Sequence, residues 1–180
     1  MNQARAFTVS FSARFEETTV FTVDGIRKLH GWTHASLTLV LEHLATIPAG
    51  DYTREVPAFG FPTLHQQVVH IFNCEAFWIH VLQGRVFRDR DPVDWPGVAE
   101  ARRLQQEISR MTLDYLAGLS DERLNTDTEL HFTDGDVAVR TPALVLHHVL
   151  THAFHHKGQI VAMCRALGHP APDTDLNQFE

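Results

Sequence analysis

Residues 141–168 read TPALVLHHVLTHAFHHKGQIVAMCRALG, and this stretch decides the fold. Thr141 is placed to cap a helix, Pro142 suits its first position, and Gly168 ends it. The pattern predicts a helix from Pro142 to Leu167. Successive side chains advance roughly 100° around such a helix. Relative to His152, His156 lies about 40° away and Val149 about 60°, with Val145 and Met163 about 20° off. His152 and His156 therefore share a stripe with apolar, core-facing residues. His147 falls nearly opposite and Lys157 falls outside the stripe, so both are expected in solvent. His148 and His155 sit on its shoulders.

Three more segments carry the same periodicity. The first helix is expected from Asp24, as cap, to Ile47, with Pro48 as stop and a stripe of Ile26, Leu29, Leu37, Val40, Leu41, Leu44 and Ile47. The second runs from Thr63 to Gln83: Thr63-Leu-His-Gln66 forms a capping box, and Gly84 follows the end. The third runs from Pro96 to Leu116, with Asp94 as cap and Val98, Ala101, Leu104, Ile108, Met111 and Tyr115 inward. Between the third and fourth, Asp134-Gly135 separates Leu130 and Phe132 from Val137 and Val139, the mark of a hairpin over Glu129–Arg140. Phe7, Val9, Phe11, Ala13 and Phe15 alternate with polar residues, as an edge strand or an arm would. The fold class that follows is all-α: a four-helix bundle with a small β-hairpin before the last helix, in a single domain over residues 1–180, with residues 1–22 as an N-terminal arm. Connections of about 15 residues between helices one and two, and over about 20 between three and four, suit a crossover topology.

Composition narrows the class of function. Fifteen Lys and Arg against 22 Asp and Glu give a net charge of −7. That argues against nucleic acid and against an anionic membrane surface as partners. No apolar run approaches a membrane span, and the first twenty residues lack the apolar core of a signal peptide. Two cysteines make no disulfide framework, so a cytoplasmic setting is expected. The 13 histidines stand well above ordinary usage and are spread from His30 to His169.

Histidines four apart on one helix are stacked neighbours that can both reach one ion. His152–His156 is such a pair, but so is His148–His152, and spacing alone does not choose. A zincin needs H-E-x-x-H, and the residues here are Ala153, Phe154 and His155, so its general base is missing. Di-iron carboxylate bundles need Glu-x-x-His on two helices, and none occurs. A third ligand must come from another helix. The second offers His65, His70 and His80, and His70 shares a mixed face with Gln66, Asn73, Cys74, Phe77 and Val81, as a pocket wall does. His30 and His34 on the first helix could form a second wall, support the ligands or make an alternative site, although a hydrogen-bonding face is the weightier reading. Cys74 is a thiolate candidate or a small buried hydrophobe. Cys164 points away from His152 and packs. Glu75, on another side of the second helix, could orient a neighbouring helix or a ligand. Gln159, one turn beyond His155, is placed to orient a group near the site.

The segment His152-Ala-Phe-His-His156-Lys-Gly-Gln159-Ile resembles the C-terminal helix signature of the DinB superfamily, with Lys157 in place of the usual Arg. The segment VVHIFNCEAFWIHVL around His70 resembles that family's second-helix motif. Trp32, Gly118-Leu-Ser-Asp-Glu-Arg-Leu124 and Phe132-Thr-Asp-Gly135 fit as well, so the match runs from about Asp24 to Gly168. The resemblance implies up-down-down-up connectivity, a homodimer, and one divalent metal held by His70, His152 and His156. It also implies chemistry with low-molecular-weight thiols, since characterised relatives use them for transfer or isomerisation.

The expected function is a divalent-metal-dependent enzyme acting on a small molecule. A thiol-dependent S-transferase for small electrophiles leads, because no carboxylate on the ligand faces is an obvious general base. A metal-dependent hydrolase and a non-catalytic metal- or ligand-binding stress protein are the alternatives. Three imidazoles suit zinc or nickel first, and also iron or copper. His30, Cys74, His148 and Gln159 are the expected pocket or supporting residues.

Overall fold

The computed structural model describes residues 21–179. Its elements in chain order are α1 (Val23–Leu44), α2 (Ala49–Tyr52), α3 (Leu64–Leu82), α4 (Val98–Ala117), α5 (Asp121–Asn125), β1 (Thr128–His131), β2 (Val137–Arg140) and α6 (Pro142–Ala166), with 3-10 turns at Pro92–Asp94 and Leu176–Gln178. The four long helices form the bundle. The alternating segment from Phe7 to Phe15 lies outside the described residues.

Helix ends follow local chemistry. Thr141 Oγ1 accepts from Leu144 N at the start of α6, and Thr63 Oγ1 accepts from Gln66 N at the start of α3, as the capping pattern requires. At the other ends Gly84 and Gly168 adopt φ of 65° and 85°. The next amides then reach back to the last turn, Arg85 N to His80 O and His169 N to Cys164 O, both 2.8 Å. Two caps differ from expectation. Thr22, not Asp24, caps α1 through its hydroxyl to Gly25 N, and Asp24 pairs with Arg27 instead. Gly97, not Asp94, precedes α4, because Asp94 is taken into the 3-10 turn. The first helix also stops at Leu44 rather than Ile47, and the chain turns there into the short α2.

The neighbours in the bundle are α1 with α4, α4 with α3, α3 with α6, and α6 with α1. Helices α1 and α3 are therefore diagonal, as are α4 and α6. The long connections through 45–63 and 118–141 make those diagonal crossings. The second of them holds α5 and the hairpin, whose antiparallel register sets Leu130 opposite Ala138. Gly135, at φ of 93°, closes its turn.

Two main apolar clusters fill the interior, and a small third one holds Val81, Leu130 and Val145. The larger holds Leu41, Leu44, Leu64, Phe72, Leu104, Ile108, Ile160 and Met163. The smaller, towards the other end, holds Ile26, Ile79, Leu116, Leu124 and Leu146. Between them along α1, α3 and α4 stand buried polar residues: His30, Thr33 and His34 on α1, Glu75 on α3, and Thr112 on α4. Full burial of one such Leu or Ile stabilises by about 1.5–3 kcal/mol, so a polar layer in place of apolar contacts is a substantial local departure.

Two residues expected in solvent are not there. Lys157 is 7% exposed; its Nζ donates to Thr174 O at 2.8 Å and Ser36 Oγ at 3.2 Å, and it lies over the Phe154 ring. The segment after α6 folds back along α1 and α6, and Ser36 Oγ also donates to Thr174 O, at 2.6 Å. Burial lowers the Lys157 pKa, with Asp175 and Asp173 opposing. His147 is half-buried against Phe21, its ring centroid 5.1 Å away. Cys164 packs in the larger cluster, where burial pushes its thiol up to about 11.

Candidate metal centre

Helices α3 and α6 are direct neighbours, which brings His70 against His152 and His156. One ring nitrogen from each lies within 4.8 Å of the other two. His70 Nε2 and His152 Nε2 are 3.1 Å apart. The ring centroids stand 4.4 Å (His152–His156), 4.5 Å (His70–His156) and 4.9 Å (His70–His152) apart. Phe61 stacks on His70 at 3.9 Å and meets His156 edge-on at 5.9 Å, covering one side of the cluster.

The rings are held in the form a metal needs. Burial lowers the pKa of all three. His152 falls to about 3, with the rings of His156, His70, His148 and His155 adding to the effect. His156 falls to about 4, through burial and then His70 and His155, with a hydrogen bond to Gln159 opposing. His70 is lowered by burial, and the nearby Asp89 carboxylate works the other way. Neutral imidazoles are the ligand form, and each must present a lone pair.

Gln67 settles which nitrogen His156 presents. His156 Nδ1 donates to Gln67 Oε1 at 2.7 Å. Nε2 is left with its lone pair towards the cluster. Gln67 is itself fully buried and fixed, since its Nε2 donates to Phe61 O and to Gln159 Oε1, both at 2.8 Å. Gln159 Nε2 in turn donates to His155 Nε2 at 2.8 Å. Gln159 stands near the site, as its position one turn beyond His155 predicts; Gln67, three residues before His70 on a helix otherwise largely apolar inward, is not among the expected site residues.

These residues fit a divalent ion. Tetrahedral coordination at about 2.0–2.1 Å places two ligand nitrogens about 3.3 Å apart, close to the His70–His152 spacing. Two Nε2 atoms facing each other without an ion share at most one proton, so the contact is one that a cation improves.

The other expected residues divide. His148 is exposed, 5.6 Å from His152 by ring centroids and edge-on to Trp78; it is outside the converging group. Cys74 is also outside it. Burial, and then the Glu75 charge, push its thiol up to about 12, against a hydrogen bond with Trp78, so it stays a neutral thiol. His30 is not beside the triad: it pairs with Glu75, described below. Cys74 does line a cavity of about 530 Å³ that opens at His70, together with Phe61, Gln66, Asn73, Phe77, Asp89 and Arg90. Its α3 wall is the mixed face that the sequence displays, except for Val81. Its far wall is the loop before α4. Asn73 fastens that loop by donating to Arg90 O at 2.9 Å and accepting from Arg90 N at 3.3 Å. Arg90 is bonded to Glu107 at 2.7 Å, and Asp89 supplies a carboxylate that no reading of the helix faces contains.

A second cluster lies inside the bundle. His30 Nε2 is 2.9 Å from Glu75 Oε1, His34 Nε2 is 3.0 Å from Oε2, and Thr112 Oγ1 donates to Oε1 at 2.6 Å. Burial works against the Glu75 carboxylate, but His34 and His30 outweigh it and hold its pKa well below the usual range.

A sequence model described as the DinB family matches residues 25–180. The chain belongs to the DinB family. Protein DinB of Bacillus subtilis (strain 168) is 23% identical over 146 residues, which is 78% of this chain and 84% of that one. The uncharacterised protein YizA of the same organism is 24% identical over 108 residues, 60% and 67% of the two chains. Among solved structures, a DinB-like protein from Bacillus cereus ATCC 10987 superposes with a TM-score of 0.62 at 19% identity, covering 84% of this chain and 97% of that one. The DinB-like protein YjoA from Bacillus subtilis does so with 0.52 at 17%, covering 85% and 96%. These superpositions establish the shared DinB fold. No helix among the described residues is long and apolar enough to cross a membrane.

Proposed function

We propose that this protein is a divalent-metal-dependent enzyme acting on a small molecule, with His70, His152 and His156 as ligands. The observation that carries the reading is the convergence of three neutral imidazoles, one of which, His70, lines a cavity of about 530 Å³. Three protein ligands with a fourth position left open is the pattern of catalytic sites rather than structural ones, and neither Cys74 nor His30 belongs to the converging group that would close it. Zinc or nickel suits the donor set best, with iron or copper next. A bound ion would supply Lewis acidity, lowering the pKa of a water or thiol in the open position.

The protein's own groups do the rest. Gln67 holds His156 in one tautomer and one orientation. Phe61 covers the rings and keeps water from one side. Phe77 and Val69 give the cavity apolar walls that suit a small organic substrate.

Two reactions suit this arrangement. Transfer of a low-molecular-weight thiol to a small electrophile needs no general base on the protein. Hydrolysis is favoured by Asp89, a carboxylate lining the same cavity and close enough to His70 to act on its charge. A small-molecule substrate, a homodimer and a cytoplasmic setting belong to the same reading.

The deciding experiment is elemental analysis of untagged protein dialysed against a weak chelator, with His70→Ala and His147→Ala as companions. Metal retained in the wild type and in His147→Ala, and lost in His70→Ala, supports the centre. Loaded protein is then assayed for thiol-dependent loss of an aryl halide and for hydrolysis of an activated ester. Metal without turnover of either probe favours a binding protein. Retention in His70→Ala refutes the ligand set.

A further inference from the structure

The cluster of His30, His34 and Glu75 is used by none of the steps above. The histidines stand four apart on α1, Glu75 comes from α3, and their exposures are 2%, 8% and 3%. Both rings turn Nε2 to the carboxylate: His30 is 2.9 Å from Oε1, and His34 is 3.0 Å from Oε2 and 3.3 Å from Oε1. One donor atom from each residue lies within 4.8 Å of the others. Two imidazole nitrogens and a carboxylate form a recognised ligand set for divalent first-row metals. Ligands about 2.0–2.2 Å from one ion, at angles from octahedral to tetrahedral, stand about 2.9–3.4 Å apart. The nitrogen–oxygen spacings to Oε1, 2.9 Å from His30 and 3.3 Å from His34, fall in that range.

The charge of the cluster points the same way. Among the described residues no Lys or Arg bonds to Glu75. The groups that reach it are two imidazoles and a hydroxyl, so no permanent cation faces this buried carboxylate. A divalent ion among the three residues would face the carboxylate with a fixed positive charge. The Nδ1 atoms of His30 and His34 are both buried without a partner, so the only partner either ring has in this layer is the Glu75 carboxylate, through Nε2. Access exists as well, because His34 lines a cavity of about 620 Å³ between α1 and α4, beside Gln105 and Asp114.

We propose that His30, His34 and Glu75 form a second divalent-metal site, separate from the His70, His152 and His156 centre. Its nitrogen and oxygen donors suit iron(II), zinc or manganese.

The test counts zinc bound per chain on untagged, chelator-stripped, full-length protein by equilibrium dialysis and elemental analysis. It compares wild type, the double variant His152→Ala/His156→Ala, and Glu75→Gln, with circular dichroism melts to establish that each is folded. Two zinc ions in the wild type and one in each variant are expected. One in the wild type and none in the double variant overturns the second site and leaves the first standing. One in the wild type, one in the double variant and none in Glu75→Gln supports the second site and removes the first. Two in Glu75→Gln also overturns the proposal. If Glu75→Gln does not fold, the double variant decides alone: one ion supports the site and none refutes it.

Discussion

Gln67→Leu isolates what the support of His156 contributes to metal binding. The substitution keeps the side chain's approximate volume and removes three hydrogen bonds: from His156 Nδ1 at 2.7 Å, to Phe61 O at 2.8 Å and to Gln159 Oε1 at 2.8 Å. Phe61 and Gln159 are only partly buried, so water can replace Gln67 for them. His156 is 7% exposed, and its Nδ1 has no other partner. The buried orphan costs about 1–3 kcal/mol of stability. The loss of tautomer and ring orientation weakens the metal by a further, separable amount. Removal of such a support lowers affinity about 10–100-fold, or about 1.4–2.7 kcal/mol. Competition for zinc against a chromogenic chelator reads the affinity, and urea unfolding of the metal-free protein reads the stability. His155→Ala is the control: His155 packs edge-on against His156 at 4.9 Å but bonds the network only through Gln159, and its loss should shift affinity by less than about threefold. Unchanged zinc affinity in folded Gln67→Leu would refute the argument that this glutamine prepares His156 as a ligand.

Three further outcomes follow from the same geometry. Because His152 is held to about 3 and His156 to about 4, protons compete poorly for these two rings above about pH 5, and only His70, lowered by burial, can couple zinc affinity to pH between about pH 8 and about pH 5; affinity should fall there by no more than about tenfold per pH unit, one proton's worth, and a steeper loss in the same competition would contradict the lowered values. Thr112→Val removes a 2.6 Å hydrogen bond to the buried Glu75 carboxylate and should lower unfolding free energy by about 1.5–3 kcal/mol in urea titrations, with zinc binding at the triad unchanged. Lys157→Met removes both contacts that tie the lysine to Ser36 and Thr174, and amide hydrogen exchange around Thr174 should rise at least tenfold while α6 stays protected.

The helices and their caps were largely legible because they depend on residues close in sequence. Thr141, Pro142 and Gly168 bound α6 by local chemistry, and the helical period alone sets His152 and His156 on one stripe. The period could not say which histidine of α3 faces that stripe; the family resemblance named His70, and the packing of α3 on α6 brings it there. What escaped the sequence depends on distant parts of the chain. Lys157 looks solvated on a helical wheel, and only the return of the C-terminal segment buries it. Asp89 and Arg90 reach the cavity from a loop without periodicity. Gln67 has meaning only once Gln159 and His156 stand opposite it. At the starts of α1 and α4 two candidate caps compete within three residues, and the backbone path selects Thr22 and Gly97 over Asp24 and Asp94.

The polar layer between the two apolar clusters bears on why the bundle is built this way. A buried ionic group contributes less to stability than well-packed apolar side chains of similar volume, and replacing such a group often leaves a protein as stable or more so. His30, His34, Glu75 and Thr112 come from three helices yet meet around one carboxylate, and each carboxylate oxygen is matched by a donor. Any one of them alone would be an orphaned polar group costing about 1–3 kcal/mol, so their presence is favourable only as a set. The set also fixes the rotation of α3, because Glu75 and His70 project from the same helix. Holding Glu75 between α1 and α4 leaves His70 turned towards α6, where His152 and His156 stand. The inner cluster thus sets the rotation of the helix that carries His70 without touching the candidate metal centre, and the packing of α3 on α6 holds that rotation from the other side.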